Sequence, residues 1–424
     1  MRREVTRSRL EHTLRAYAAK VARFQPNARA YLAYMVLNGA AFGVYRLLFN
    51  FYVLSLGFDE ALLGRLLTTA SLIQLLAALP AGYVSDRIGR KPALFLSATT
   101  TIATLLGMVI WPTAASFYAM SALLGLAQSL GAVTYGPFMM ENSGDEERTY
   151  LFSISSGMAM IAQFMGNWLG GQLPAWIGNW RGVSTTSSTA YGGALALVAV
   201  FAALALLPIL SIRRQHKAQP DEAYLSPFRY ARSQPRLLGR LIAPMWVTSL
   251  GAGLLMPFMN VFFRHTHQSS DATIGLLFAI GSLAMGVGLL IAPPLADRYG
   301  KMTTVIVTQA VSVPFLVVLG FAPWFWLSAA AYLIRLALMN MSNPVYQAFV
   351  MEHAAPEARA TVASLVSMSW SFGWAFSPSL SGWLQVNYGF TPVYLGTITS
   401  YVIAIYLYWR FFGRRSLAVV AATD

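Results

Sequence analysis

The apolar residues of this chain fall into twelve runs, each about as long as a membrane-spanning helix. They cover 31–54, 62–81, 93–112, 118–140, 150–173, 191–210, 241–263, 273–293, 303–322, 325–349, 361–384 and 391–411. About 20 residues of helix cross ~30 Å of hydrocarbon, where no water is present to satisfy an open backbone. Strands of a membrane barrel would read instead as alternating segments of about ten residues. Of the 424 residues, 56% are hydrophobic and 11% charged, so the chain has more apolar surface than a soluble core can hide. The expectation is an all-α membrane protein with 12 transmembrane helices.

The chain also repeats itself at an offset of 211 residues. The charged stretch GYVSDRIGRKPAL, Gly82 to Leu94, returns as PPLADRYGKMTTV, Pro293 to Val305. Asp86 falls on Asp297, Arg87 on Arg298 and Gly89 on Gly300. Further out, Gly64 falls on Gly275, Glu141 on Glu352, Arg148 on Arg359 and Gly171 on Gly382. One register held over such a length marks a duplication, hence two pseudo-symmetric six-helix bundles. Bundle boundaries are expected at 31–210 and 241–411, with a basic amphipathic leader at 1–30, a polar linker at 211–240 and a tail at 412–424.

A net charge of +14 would point to nucleic acid in a soluble protein. Here about 25 of the 30 Lys and Arg lie in alternate loops and both tails, which excludes nucleic acid as a partner. By the positive-inside rule those loops and both termini are expected to be cytoplasmic, in a plasma (inner) membrane. The absence of cysteine removes disulfides, thiolate metal sites and cysteine nucleophiles. Neither a metal cluster nor a phosphate loop nor a catalytic triad is recognisable, so the chain is read as a non-enzyme without a cofactor.

The segment Gly82 to Leu94 resembles the signature of the major facilitator superfamily, which lies between the second and third helices of each half. In the second copy Asp297, Arg298, Gly300 and Lys301 remain, and Pro293 replaces the leading Gly82. Helix number, the long central loop and the duplication agree with that family over about residues 31–411. Asp86 and Arg90 lie four apart, close enough to pair, and Gly89 allows a tight reversal. The resemblance implies a charge cluster of Asp86, Arg90 and Glu141, with Asp297, Lys301 and Glu352 as its counterpart. It also implies that Asp86 faces the start of the eleventh helix. We read this cluster as a latch on the cytoplasmic side, with Gly82, Arg87, Gly89, Arg298 and Gly300 as the rest of the gating set. Glycines at 157, 166, 170 and 171, followed by Pro174, read as a packing seam in the fifth helix, repeated in the eleventh at Gly373 and Gly382.

In the fold that this resemblance implies, helices one, four, seven and ten line a central cavity. Arg46 in the first helix and Arg335 in the tenth stand at membrane depth, where an unpaired guanidinium costs about 2.5 kcal/mol or more. Each should therefore face water, a carboxylate or an anionic solute. Asn50, Gln128, Gln163, Asn167, Asn340, Asn343, Gln347 and the walls Trp370 and Trp374 complete the expected substrate set. No Asp or Glu lies in the middle of any run. The expected function is secondary active transport of a small anionic or amphipathic organic solute by alternating access. Multidrug or hydrophobic-compound efflux and a non-transporting receptor or scaffold are the alternatives. Partners are then the solute, the lipid bilayer and a coupling ion such as the proton, with the chain acting as a monomer.

Overall fold

The computed structural model describes residues 24–144, 147–213, 234–353 and 359–413. Twelve crossings are present among them: α1 (Pro26–Ser55), α2 (Glu60–Ile88), α3 (Arg90–Ile110), α4 (Ala114–Glu141), α5 (Arg148–Arg181) and α6 (Ser188–Leu204, continued by Leu206–Ser211) form the first half. The second half comprises α7 (Pro235–Leu255, continued through a 3-10 turn at Met256–Phe258 into Met259–His267), α8 (Asp271–Tyr299), α9 (Lys301–Phe321), α10 (Phe325–His353), α11 (Arg359–Tyr388) and α12 (Thr391–Tyr408). Nine of the crossings have the length and apolarity of a membrane span on composition alone. The other three are α5, α11 and α12; α5 carries Gln163 and Asn167, and α11 a run of serines. Most of the expected leader 1–30, linker 211–240 and tail 412–424 lies outside the described residues.

Several helices outrun the apolar runs that announced them. Helix α5 continues through Pro174, which sits inside it rather than ending it. Proline is tolerated there because neighbouring helices re-satisfy the carbonyl it frees. Helix α2 likewise runs on through Gly82, Asp86 and Arg87 to Ile88, so the expected charged loop is mostly helix. The reversal is a single residue. Gly89 takes φ 92° and ψ 159°, and its repeat partner Gly300 takes φ 83° and ψ 149°. Only glycine enters this region without strain. We call the side bearing these two turns the motif face and the opposite side the far face.

On the far face the even-numbered helices of the first half, and α8, begin on a side-chain cap. Asp59 accepts from the Leu62 amide at 2.7 Å, Thr113 from Ser116 at 3.3 Å, Ser187 from Ala190 at 3.2 Å and Ser270 from Thr273 at 3.2 Å. Each cap satisfies an amide that has no partner within its helix.

The duplication reappears as paired contacts between the halves. A Cβ at Gly64 would lie 2.3 Å from the Pro378 carbonyl oxygen, and one at Gly275 would lie 2.6 Å from that of Asn167. A Cβ at Gly171 would meet the Asp271 carbonyl oxygen at 2.7 Å, and one at Gly382 that of Glu60 at 2.1 Å. Both relations obey the sequence offset, so α2 packs on α11 as α8 packs on α5. Backbone-to-backbone approach of this kind replaces the hydrophobic drive that lipid removes. Gly166 and Gly170 continue the seam of α5 against α1, whereas Gly157 faces open space.

Gly89→Ala is expected to destabilise the protein by about 1–3 kcal/mol, because alanine resists this backbone conformation. Gly82 lies inside α2, where an added Cβ would meet nothing within 4 Å. Gly82→Ala is therefore expected to be neutral or stabilising by about 0.5–1 kcal/mol. Thermal unfolding of the two detergent-purified variants checks the contrast, and equal midpoints would refute it.

Candidate functional site

At the motif face the charged residues pair within each half. Arg90 Nη1 donates to Asp86 Oδ1 at 2.5 Å and to Ser85 Oγ at 3.1 Å, while its Nε donates to Glu141 Oε1 at 3.0 Å. Ser85 Oγ is in turn 2.9 Å from Thr134 Oγ1, which ties the cluster to α4. The geometry follows from the sequence: four residues around the Gly89 turn bring Asp86 and Arg90 together, and the end of α4 presents Glu141. In the second half Lys301 pairs with Glu352, whereas Asp297 makes no ion pair among the described residues. Arg87 and Arg298 are exposed. Lys91 donates to the carbonyls of Leu210 at 2.7 Å and Ile212 at 2.6 Å, fastening the end of the sixth crossing.

Between the halves lies a cavity of about 340 Å³. Arg46, Gln163, Asn167, Arg335, Asn340, Asn343, Trp370 and Trp374 all line it, as expected from sequence. Its walls come from α1, α5 and α7 to α12, and none from α4. Gln128 is thus not part of the wall, because α4 turns toward α2, where a Cβ on Gly125 would sit 2.3 Å from the Ala70 carbonyl. Gln347, one turn beyond Asn343, is also not part of it. Helix α7 supplies more of the lining than any isolated polar residue suggested, including Met245, Thr248, Met256, Met259 and Asn260. Tyr332, Tyr346, Tyr401 and Tyr408 add aromatic walls.

The two arginines are placed differently. Arg46 is exposed to the cavity, its guanidinium 5.9 Å from the Trp374 ring centre. Arg335 is 1% exposed. Its Nη2 donates to Tyr401 Oη at 2.9 Å, its Nη1 faces Met256 Sδ at 3.8 Å, and its Nε has no partner. The expectation that both arginines meet solute directly therefore divides: Arg46 is open, and Arg335 is sealed behind Tyr401 and Met256.

Asn50, unlike the two arginines, does not line the cavity; it is buried and joins the halves. Its Nδ2 lies 2.7 Å from the Pro257 carbonyl oxygen and 2.8 Å from Asn260 Oδ1, and Asn260 Nδ2 donates back to the Leu47 carbonyl at 2.7 Å. The 3-10 turn at Met256–Phe258 bends α7 and brings these groups across. Nearer the far face, Tyr191 Oη donates to Asp271 Oδ2 at 2.7 Å and accepts from Arg264 Nη1 at 2.7 Å. Arg264 pairs with Asp271 and stacks on Phe51, 3.6 Å from its ring centre. His265 lies 3.7 Å from Glu60. Asn167 reaches the Phe278 carbonyl and Ser282 Oγ, each at 3.4 Å. These ties close the cavity off from the far face, while its walls reach toward the motif face through Met35, Gly39, Met245 and Tyr346.

Sequence reasoning missed this far-face cluster. A signal was available: Arg264 is one of the few basic residues in loops otherwise nearly free of them, seven positions before Asp271. What it lacked was Tyr191, which arrives from the other half.

A family model described as Major Facilitator Superfamily matches residues 31–252 and again 241–421. The tetracycline resistance protein, class C, of Escherichia coli is 26% identical over 68% of this chain and 70% of its own length. The multidrug resistance protein MdtG of Dickeya zeae (strain Ech586) is 24% identical over 91% of this chain and 95% of its own. Among solved structures, a mutant form of the nucleoside transporter NupG superposes with a TM-score of 0.75 at 15% identity, covering 91% of this chain and 100% of that one.

Tyr191→Phe removes the hydroxyl that joins Asp271 and Arg264 across the halves. Leaving half-buried charged partners short of a hydrogen bond costs about 1–3 kcal/mol, which should raise the far-open population about fivefold or more. The natural chain has no cysteine, so a single Ser282→Cys reporter labelled by a membrane-impermeant thiol reagent reads the change. Unaltered labelling from the far side would show that the cluster does not hold the halves.

Proposed function

The chain belongs to the Major Facilitator Superfamily and is a multi-pass membrane protein, and on that premise we propose that it is a secondary active transporter. Its cargo is a small organic solute, anionic or amphipathic, carried by alternating access. The observation that carries this reading is one cavity held between two repeat-related halves and closed on one side only by contacts that cross between them. Contacts that join rigid bundles can be broken and remade as the bundles rock, and a site at their interface then faces each side in turn. The cavity's size lies in the usual range for small-molecule sites. Its substrate residues are Arg46, Gln163, Asn167, Asn340, Asn343 and Trp374.

The motif-face ion pairs act in this scheme as a latch. In this structure Arg90 holds Asp86 and Glu141 inside the first half, and Lys301 holds Glu352 inside the second. Asp86 is still half exposed, so it retains an oxygen to offer the start of α11 when the motif face closes, where the helix dipole favours an anion. With positive loops inside, the motif face and both termini are cytoplasmic.

Efflux of hydrophobic compounds is a second reading. It is favoured by the methionine and aromatic walls and by relatives named for tetracycline and multidrug resistance. The cavity has no carboxylate among its lining residues to attract a cationic drug.

Reconstitution into proteoliposomes with preloaded organic anions tests the carrier by counterflow. Asp86→Asn is expected to lower the exchange rate about tenfold at unchanged expression, as loss of a charge-assisted contact requires. Exchange equal to the natural chain would remove the latch. No exchange with any organic anion or lipophilic drug, together with normal folding, would favour a receptor or scaffold.

A further inference from the structure

The cavity holds two positive charges and no negative one among its lining residues, and one of the two lies where a solute does not reach it. Arg335 has no carboxylate partner: its contacts are a tyrosine hydroxyl, a thioether and the face of the Tyr401 ring, with its guanidinium 5.2 Å from that ring's centre. A guanidinium stripped of water is normally neutralised by a carboxylate, and leaving it uncompensated is costly at membrane depth. Its field then extends into the adjoining space. Tyr332 also lines the cavity, within electrostatic reach of both arginines. Trp374, whose ring centre lies 5.9 Å from the Arg46 guanidinium, has in Nε1 a buried donor without an acceptor. Neither Arg335 Nε nor Trp374 Nε1 meets a counter-charge or an acceptor, so the space beside them favours negative charge.

We propose that this cavity selects flat aromatic organic anions, with Arg46 contacting the anionic group and Arg335 setting the charge preference from behind the wall without touching the solute. The inference rests on the cavity being the cargo site. Arg335 is thus a positioning charge, and its effect is on which ion enters rather than on how the ring is held. A full charge about 10 Å from a bound ion, at the effective dielectric of a protein site, changes that ion's affinity by about tenfold or more, in opposite directions for anion and cation. Aromatic packing on Trp370 and Trp374 is shared by both.

The test uses the full chain in detergent and two probes of equal shape, 2-naphthoate and 2-naphthylmethylammonium, with binding read by tryptophan fluorescence. The natural chain is expected to bind the anion at least about a hundredfold tighter than the cation. Arg46→Gln should lose most anion binding. Arg335→Gln, or Arg335→Met where the amide does not fold, should narrow the anion-to-cation ratio about a hundredfold, about tenfold from each ion, and Arg335→Lys should restore it. Equal affinities, or a failure to bind either probe, would overturn the anion class. An unchanged ratio in a folded neutral variant would overturn the role of Arg335. Counterflow of labelled naphthoate separates the two levels: selective binding without exchange leaves the anion site standing and defeats the carrier.

Discussion

Close approach of backbone to backbone is what the rest of this structure depends on. In a bilayer there is no hydrophobic gain from bringing two apolar helices together, so association falls to dispersion and to polar contacts. Dispersion acts only at short range, and a missing side chain is what permits short range. Gly171 on the Asp271 carbonyl and Gly382 on that of Glu60 are two sites where the halves come close in repeat-related fashion. The same two places position the polar ties. Asp271, whose carbonyl Gly171 covers, offers its side chain to Tyr191 and Arg264, and Glu60, under Gly382, offers its side chain to His265. Steric fit and charge pairing therefore coincide on the far face, and both must be given up together for it to open.

The cavity follows from where those contacts stop. Toward the motif face the helices diverge and expose Arg46 and Asn343. The asymmetry of the walls follows from α7, whose 3-10 turn bends its far part toward Asn50 and exposes a methionine-rich stretch to the cavity. Methionine side chains fill irregular space without a fixed shape.

Charge placement then divides the molecule by role. Motif-face ion pairs are internal to each half and keep the short helix-glycine-helix turns intact. Far-face ion pairs and hydrogen bonds include some that cross between halves. Pairs inside a rigid body report on its fold, whereas pairs across a moving interface set the relative stability of the states on either side of it.

Helix content, the number of crossings and the duplicated architecture were legible in the sequence, because each depends on local composition or on self-similarity. The turn at Gly89 and the pairing of Asp86 with Arg90 were legible for the same reason, being contacts over a few residues. Helix ends were read short at α2 and α5, since polar and proline residues at helix termini look like loop until neighbours satisfy their backbone. Sequence depth alone placed Arg46 and Arg335 as equals, and it placed Asn50 and Gln128 in the cavity. Tertiary structure separated them: Tyr401 and Met256 seal Arg335, Asn260 claims Asn50, and packing on α2 draws α4, with Gln128, out of the wall. A one-dimensional pattern fixes how deep a residue lies in the membrane, but which way it faces and what meets it there depend on residues far along the chain, 66 positions from Arg335 to Tyr401 and 210 from Asn50 to Asn260.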